Sequence, residues 1–297
     1  MKVCVLSIFF LCFVVQAQGR EPLFVQGSLL YWQAQIGGIS DGVKEGISSS
    51  NMENPKFPWD VGFVLGMGTC FSHDGWQLLL QWTSFKTHAN TTQNYSFPTS
   101  LAPSWILPQE SPPFFQKAQQ HWRLHLGLVD LFLSKTFHPS SCVDLTSQMG
   151  LRFGSIRQKC HLEYMEPGQV VVRTKNKFSG IGPTIGGRAS YGFFSWGLFA
   201  EVRVGTLYGE FYVHQAETER LGVHQVFDSL APFTEGSMGI YWRSPRRWTV
   251  EMTWDQSLFF SQNQWMRFLS SSQKGCFAAN QGDLTLAGIH AHARYEF

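Results

Sequence analysis

The segment DLTSQMGLRFG, Asp144 to Gly154, keeps a period of two. Leu145, Met149, Leu151 and Phe153 fall on one side, and Asp144, Thr146, Gln148, Gly150 and Arg152 on the other. Strand side chains point alternately to two faces, whereas a helix would mix the two sets. The segment therefore reads as a strand with one apolar and one polar face.

The same period recurs on both sides of it. Trp76, Leu78, Leu80 and Trp82 oppose Gln77, Gln81 and Thr83, with Leu79 among them. Leu198, Ala200, Val202 and Val204 oppose Phe199, Glu201, Arg203 and Gly205. Val250, Met252 and Trp254 oppose Thr249, Glu251, Thr253 and Asp255. At the end of the chain, Ala287, Ile289, Ala291, Ala293, Tyr295 and Phe297 alternate with His290, His292, Arg294 and Glu296. About 10 strands can be marked, at 24–36, 58–71, 75–88, 120–137, 142–157, 178–191, 195–213, 225–243, 247–261 and 283–297. Boundary errors of about two to four residues allow 8–14. The fourth loses its phase near Val129-Asp130, which predicts a β-bulge.

Four connections are tight: Ser72–Gly75, Pro139–Ser141, Gly192–Ser195 and Ser244–Arg247. They alternate with five longer ones, near 37–57, 89–119, 158–177, 214–224 and 262–282. Short periplasmic turns alternating with long outer loops are the pattern of a transmembrane antiparallel up-and-down β-barrel. An even strand number puts both ends of the sheet on the periplasmic side. A soluble β-sandwich also alternates, but has no reason to gather aromatic rings at its turns. Here Phe71, Trp76, Phe137, Phe193, Phe194, Trp196, Trp242 and Trp248 do so, with Tyr295 and Phe297 beside them. Aromatic rings rest well at a headgroup interface, so these residues predict a girdle.

Composition agrees with a membrane barrel. Charged residues make up 15% of the 297 and aromatic residues also 15%, and mean hydropathy is slightly negative. A helical membrane protein would be far more apolar, and a cytosolic enzyme richer in Lys and Glu. The formal net charge of +2 gives no reason to expect nucleic acid. Residues 1–17 read as a cleaved signal peptide: basic Lys2, an apolar run from Val3 to Val15, then Val15 and Ala17 at the −3 and −1 positions. Residues 18–297 then form a single outer-membrane barrel domain. No later apolar run is long enough for a transmembrane helix.

With the strands laid out, the chain resembles the Legionella-type major outer membrane protein family of pore-forming barrels, which also has members in chlamydia-like bacteria. The matching stretches are Ser28–Trp32, Trp59–Phe63, Asp74–Trp76, Gln81–Thr83, Trp122–Asp130, Gly150–Gln158, Gly180–Pro183, Leu207–Gly209, Trp254, Gln262–Gln264 and Gly282–Phe297. Together they cover nearly the whole mature chain. Asp60-Val61 departs from a richer aromatic and Pro-Gly stretch that the family carries after Trp59. The resemblance implies a pore in the outer membrane of a Gram-negative bacterium. It also implies that the terminal Phe297 serves recognition by the barrel assembly machinery.

Alternation assigns an inward, pore-lining set: Asp60, Arg123, His125, Asp144, Arg152, Arg188, Glu201, Arg203, Glu235, Arg243, Glu251, Asp255, His290, His292, Arg294 and Glu296. Barrels of eight strands are filled by side chains, and those of sixteen hold a channel. About ten lies near the filled end. Two readings stay open. The charges line a narrow constriction that passes small solutes or ions, or they pair and plug the lumen. Inward Gly62, Gly66, Gly68, Gly150, Gly182, Gly186 and Gly205 argue for room. A plugged barrel would act structurally or as an adhesin through its outer loops.

A third reading is a hydrolase at the outer rim, built on His121, His125 and Asp255, which would have to meet within hydrogen-bond reach. Rim polarity is the simpler account, and no enzyme is expected. The four mature cysteines, Cys70, Cys142, Cys160 and Cys276, fit no metal spacing, so neither metal nor cofactor is expected. Cys160 and Cys276 both fall in expected outer loops, which makes them a candidate disulfide. Ser111–Phe115 is a proline-aromatic stretch that fits a surface loop or a plug in the barrel mouth. The expected partners are outer-membrane lipid, the assembly machinery and small solutes or ions. A homo-oligomer burying one flank of the barrel is compatible with the same alternation.

Overall fold

The computed structural model describes residues 22–37, 42–45, 50–52, 56–71, 74–94, 100–103, 115–165, 168–217, 220–268 and 277–297. The expected signal peptide lies outside the described residues. Thirteen strands follow in chain order: β1 (Leu23–Ile36), β2 (Gly42–Glu45), β3 (Ser50–Met52), β4 (Trp59–Cys70), β5 (Trp76–Asn94), β6 (Ser100–Pro103), β7 (Lys117–Phe137), β8 (Val143–Met165), β9 (Gln169–Phe193), β10 (Trp196–Glu217), β11 (Arg220–Arg243), β12 (Trp248–Phe268) and β13 (Phe277–Glu296). Ten close into an antiparallel barrel in the order β1-β13-β12-β11-β10-β9-β8-β7-β5-β4, and β3, β2 and β6 form a separate small sheet. In the turn-side half this closure pairs each wall strand with both neighbours, which a sheet must do to cross lipid, while the β11–β12 ladder ends at Phe233↔Phe259.

Three of the tight turns, 139–141, 192–195 and 244–247, stand where the sequence predicts them; residues 72–73 of the fourth lie outside the described residues. Phe194 and Arg247, with φ of 55° and 66°, and Gly75, with φ of 67°, take the left-handed conformations these turns need. The barrel closes beside its last residue, where the Phe297 amide donates to the Leu23 carbonyl at 2.8 Å. The strands overrun the predicted boundaries at the other end. β8 runs to Met165 and β9 starts at Gln169, so most of the expected loop 158–177 is wall. Most of 214–224 and 262–282 is wall too, since β10 ends at Glu217, β11 begins at Arg220, β12 ends at Phe268 and β13 begins at Phe277.

Length explains what this overrun does. A strand crosses the hydrocarbon with about ten residues, yet β9 has 25. Its turn-side half faces out with Tyr191, Ala189, Ile185, Pro183 and Ile181, and in with Ser190, Arg188 and Thr184. Beyond Ile181 the two faces exchange character. Ser179, Lys177, Lys175 and Arg173 now point out, while Phe178 and Val172 point in and are buried. β8 does the same: Leu151 and Phe153 face out below Arg157 and Lys159, and Arg152 faces in below Ile156 and Leu162. The barrel is therefore two stacked halves of opposite polarity. The turn-side half is apolar outside and charged inside, as lipid requires. The outer half is polar outside, and inside it buries apolar side chains together with a set of polar ones, Gln120, Gln158, Thr174, Asn176 and Gln262 among them.

That exchange corrects the reading of β7. Even-numbered residues point inward along its whole length, from Ala118 through Leu124, Leu126 and Leu128 to Asp130. The ladders to β5 and β8 run through Val129 and Asp130 without a register shift. There is no bulge there. The pattern slipped because the apolar face changed sides, not because the backbone did. Arg123 and His125 consequently lie on the outer surface and do not line the lumen. The register does shift in β12, between Phe259 and Asn263, where Ser261 takes a φ of 52°.

Candidate functional site: the lumen

Three arginines and four carboxylates fill the middle of the turn-side half. Arg152, on β8, donates from Nε to Asp130 Oδ1 at 2.5 Å and from Nη1 to Glu235 Oε1 at 2.6 Å. A second pair of bonds, from Nη2 to Asp130 Oδ2 at 3.1 Å and to Glu235 Oε2 at 3.0 Å, makes both contacts bidentate. Arg188, on β9, holds Glu251 the same way, at 2.7 and 3.1 Å. Arg203, on β10, lies 3.1 Å from Glu201 and 3.5 Å from Glu235. Each guanidinium also covers an aromatic ring: Arg152 over Phe233 at 4.4 Å, Arg188 over Phe199 at 3.6 Å and Arg203 over Phe132 at 5.4 Å. Planar, weakly hydrated guanidinium tolerates such sites better than ammonium would, which accounts for arginine rather than lysine.

Toward the turns the lumen opens into a polar vestibule of about 470 Å³. Ser28 meets His292 Nδ1 at 2.9 Å, and Gln26 donates to Gln81 at 3.1 Å. Asp255 accepts from Thr253 at 2.8 Å and lies 2.7 Å from His290 Nδ1. Arg243 faces Asp144 at 3.5 Å and Arg294 faces Glu296 at 2.9 Å, both at the mouth. Asp60 points inward from the start of β4, and its buried Oδ2 has no hydrogen-bond partner among the described residues.

Away from the turns the ion pairs meet an apolar layer. Leu30, Phe85, Leu126, Leu128, Phe178, Leu207, Phe233, Phe259 and Leu284 are each no more than 3% exposed. Trp122 and Trp265 cross above them with centroids 5.2 Å apart. The inward glycines do not widen the lumen. A Cβ on Gly205 would come within 2.6 Å of the Phe233 ring, one on Gly150 within 2.9 Å of Phe132, and one on Gly186 within 2.6 Å of Arg203 Cγ. They are the seats into which the large side chains pack.

Fourteen of the sixteen predicted inward residues face inward, the exceptions being Arg123 and His125. The predicted girdle residues Phe71, Trp76, Phe137, Trp196, Trp242, Trp248, Tyr295 and Phe297 ring the turn end on the outside, with the Trp248 and Tyr295 rings 4.9 Å apart and tilted to each other. Sequence reasoning missed Asp130, because the supposed bulge hid its phase. Its place directly opposite Arg152 in the ladder is the signal that would have found it. The rim residues are not brought together: His121 and His125 sit outside the wall and Asp255 inside it. Among the described residues no group of three or more His, Cys, Asp or Glu converges as a metal site would.

Cys160 is not in a loop but on β8, buried and pointing inward, where Gln120 Nε2 approaches its Sγ at 3.6 Å. Cys276 lies outside the described residues, as do 111–114 of the proline-aromatic stretch. Phe115 is buried against Tyr164 at 5.1 Å.

The model of one protein family, described as the Legionella pneumophila major outer membrane protein precursor, matches residues 20–297. No curated protein matches the chain. Among solved structures, the chain is similar to the outer membrane protease OmpT from Escherichia coli, with a TM-score of 0.55 and 10% identity over 93% of this chain and 97% of that one. It is also similar to the P. putida toluene transporter TodX, with a TM-score of 0.32 and 8% identity over 94% and 90%. At such identities only the fold is shared, and only the first likeness bears on it.

Proposed function

The chain belongs to the family of the Legionella pneumophila major outer membrane protein precursor, and from that premise we propose a barrel of the outer membrane with a sealed lumen, working through its outer surface. One observation carries this reading. The Arg152–Asp130–Glu235 cluster abuts an apolar layer whose members are buried, so two barriers of different chemistry lie in series. Ions would have to part bidentate pairs and then cross a layer of buried apolar side chains.

A second reading, a narrow porin passing small solutes or ions, draws on the polar vestibule of about 470 Å³. It requires the apolar layer to move. No enzymatic activity is proposed, since the candidate rim residues lie on opposite sides of the wall. Swelling of liposomes carrying the folded barrel tests the choice. Swelling in small sugars no faster than that of protein-free liposomes supports the sealed barrel, and faster swelling overturns it.

A further inference from the structure

On the outside of the outer half, β5, β7, β8 and β9 carry two rows of basic residues. The ladder registers set Lys86 opposite His125, His125 opposite Arg157 and Arg157 opposite Lys177. Two residues farther out, His88 faces Arg123, Arg123 faces Lys159 and Lys159 faces Lys175. Directly opposed strand residues have Cβ atoms about 5 Å apart, and like charges there are destabilising. Inside the barrel the buried arginines are each met by carboxylates. Here no carboxylate lines the groove of about 930 Å³ that these side chains border. None of the six lysines and arginines has a carboxylate partner among the described residues. His125 is held below the ordinary histidine range by burial, then by Lys86 and Arg157. His121 is held down by burial, then by Arg123, His88 and His161. The groove is thus strongly positive and unneutralised.

What lies next to it identifies the ligand. Toward the turns, the next row is Ser84, Gly127, Ser155 and Ser179, and the one after is Trp82, Val129, Phe153 and Ile181. The last of these is the edge of the lipid-facing band. A Cβ on Gly127 would have its nearest neighbour at 4.0 Å, so the small row leaves a ledge. Apolar edge, shallow ledge and paired basic rows succeed one another over about 20 Å of strand. That order suits an amphiphile with acyl chains at the first and anionic groups at the last. We propose that the groove binds the phosphorylated headgroup of a glycolipid in the outer leaflet of the outer membrane. Lysine and arginine are the side chains that grip phosphate, and a soluble anion would make no use of the apolar edge. The site stands outside the barrel wall and does not depend on whether the lumen conducts.

The test uses the full barrel folded in detergent micelles, titrated with bis-phosphorylated lipid A and with its dephosphorylated form. Wild type should bind the phosphorylated lipid at least about tenfold more tightly. Arg157→Gln/Lys159→Gln and, separately, Lys86→Gln/Lys175→Gln should lose most of that preference, while Arg246→Gln at a periplasmic turn keeps it. Without lipid, both double variants should resist urea at least as well as wild type, because opposed like charges have been removed. Equal affinity for the two lipids, or double variants that keep the preference, would overturn the proposal. So would inorganic phosphate displacing the lipid at matched concentration, which marks a free-anion site. Heparin binding without lipid A binding would mark a surface for sulfated glycans instead.

Discussion

Asp130 and Arg152 stand directly opposite each other in the β7–β8 ladder and point into the lumen, joined by two hydrogen bonds of 2.5 and 3.1 Å. Both side chains are 1% exposed. Removing one partner of such a pair leaves a buried, uncompensated charge, which costs about 3–5 kcal/mol. Arg152→Gln strands Asp130 and Glu235 together, and its urea midpoint in micelles should fall accordingly. An unfolding free energy within about 0.5 kcal/mol of wild type would show that water reaches the pair.

The exchange of polarity between the two halves predicts where reagents reach. Cysteine placed at Arg123 or His125 should react with a charged maleimide added outside cells. Cysteine placed at Leu124 or Leu126, buried in the apolar layer, should stay unlabelled until the barrel unfolds. Labelling in the reverse pattern would restore the phase slip that the sequence suggested.

How much of this was legible beforehand depends on the half. In the turn-side half the rule that apolar residues face out held strand after strand, from Asp144–Arg152 to His290–Glu296. The girdle residues fell where interface chemistry put them. In the outer half the same rule was applied where its premise, lipid outside, no longer held. Arg123 and His125 were turned inward for that reason, and Asp130 was lost with them. The hairpins at 158–177, 214–224 and 262–282 read as loops in sequence because outward Lys, Arg and His alternate with buried Gln and Asn, a composition that looks like a loop. Pairing of Arg152 with Glu235, distant in sequence and on another strand, depended on barrel closure and had no local signature.

Packing in the apolar layer makes a separate prediction. Phe233 is 2% exposed, lies over Gly205 and under the Arg152 guanidinium, and meets Phe259 at 5.8 Å. Phe233→Ala should cost about 3–5 kcal/mol through lost burial and the cavity left behind. Gly205→Val should cost comparably from the opposite cause, overpacking. Urea unfolding of both variants measures it, and the pair should not be additive, because each acts on the same space.

Acid should weaken the outer half. His121 and His125 lie beyond the lipid-spanning segments and are both held below the ordinary value of 6.5. Between that value and the lower folded one, the unfolded chain binds more protons than the folded chain. Stability is therefore full above the unfolded value and declines as pH falls through it. The urea midpoint should drop between about pH 7.5 and about pH 5.5, and His121→Gln/His125→Gln should shrink the drop. A double variant with an undiminished drop would assign the acid sensitivity elsewhere.

The measurement that bears most directly on the sealed lumen is single-channel recording of the folded mature barrel in a planar lipid bilayer. Two barriers in series, the Arg152 cluster and the apolar layer beyond it, predict a silent membrane from a barrel whose folding is verified by its gel shift on heating. Discrete current steps of reproducible size, changed by Arg188→Gln or Arg203→Gln, would contradict the seal and establish an open, charge-lined pore.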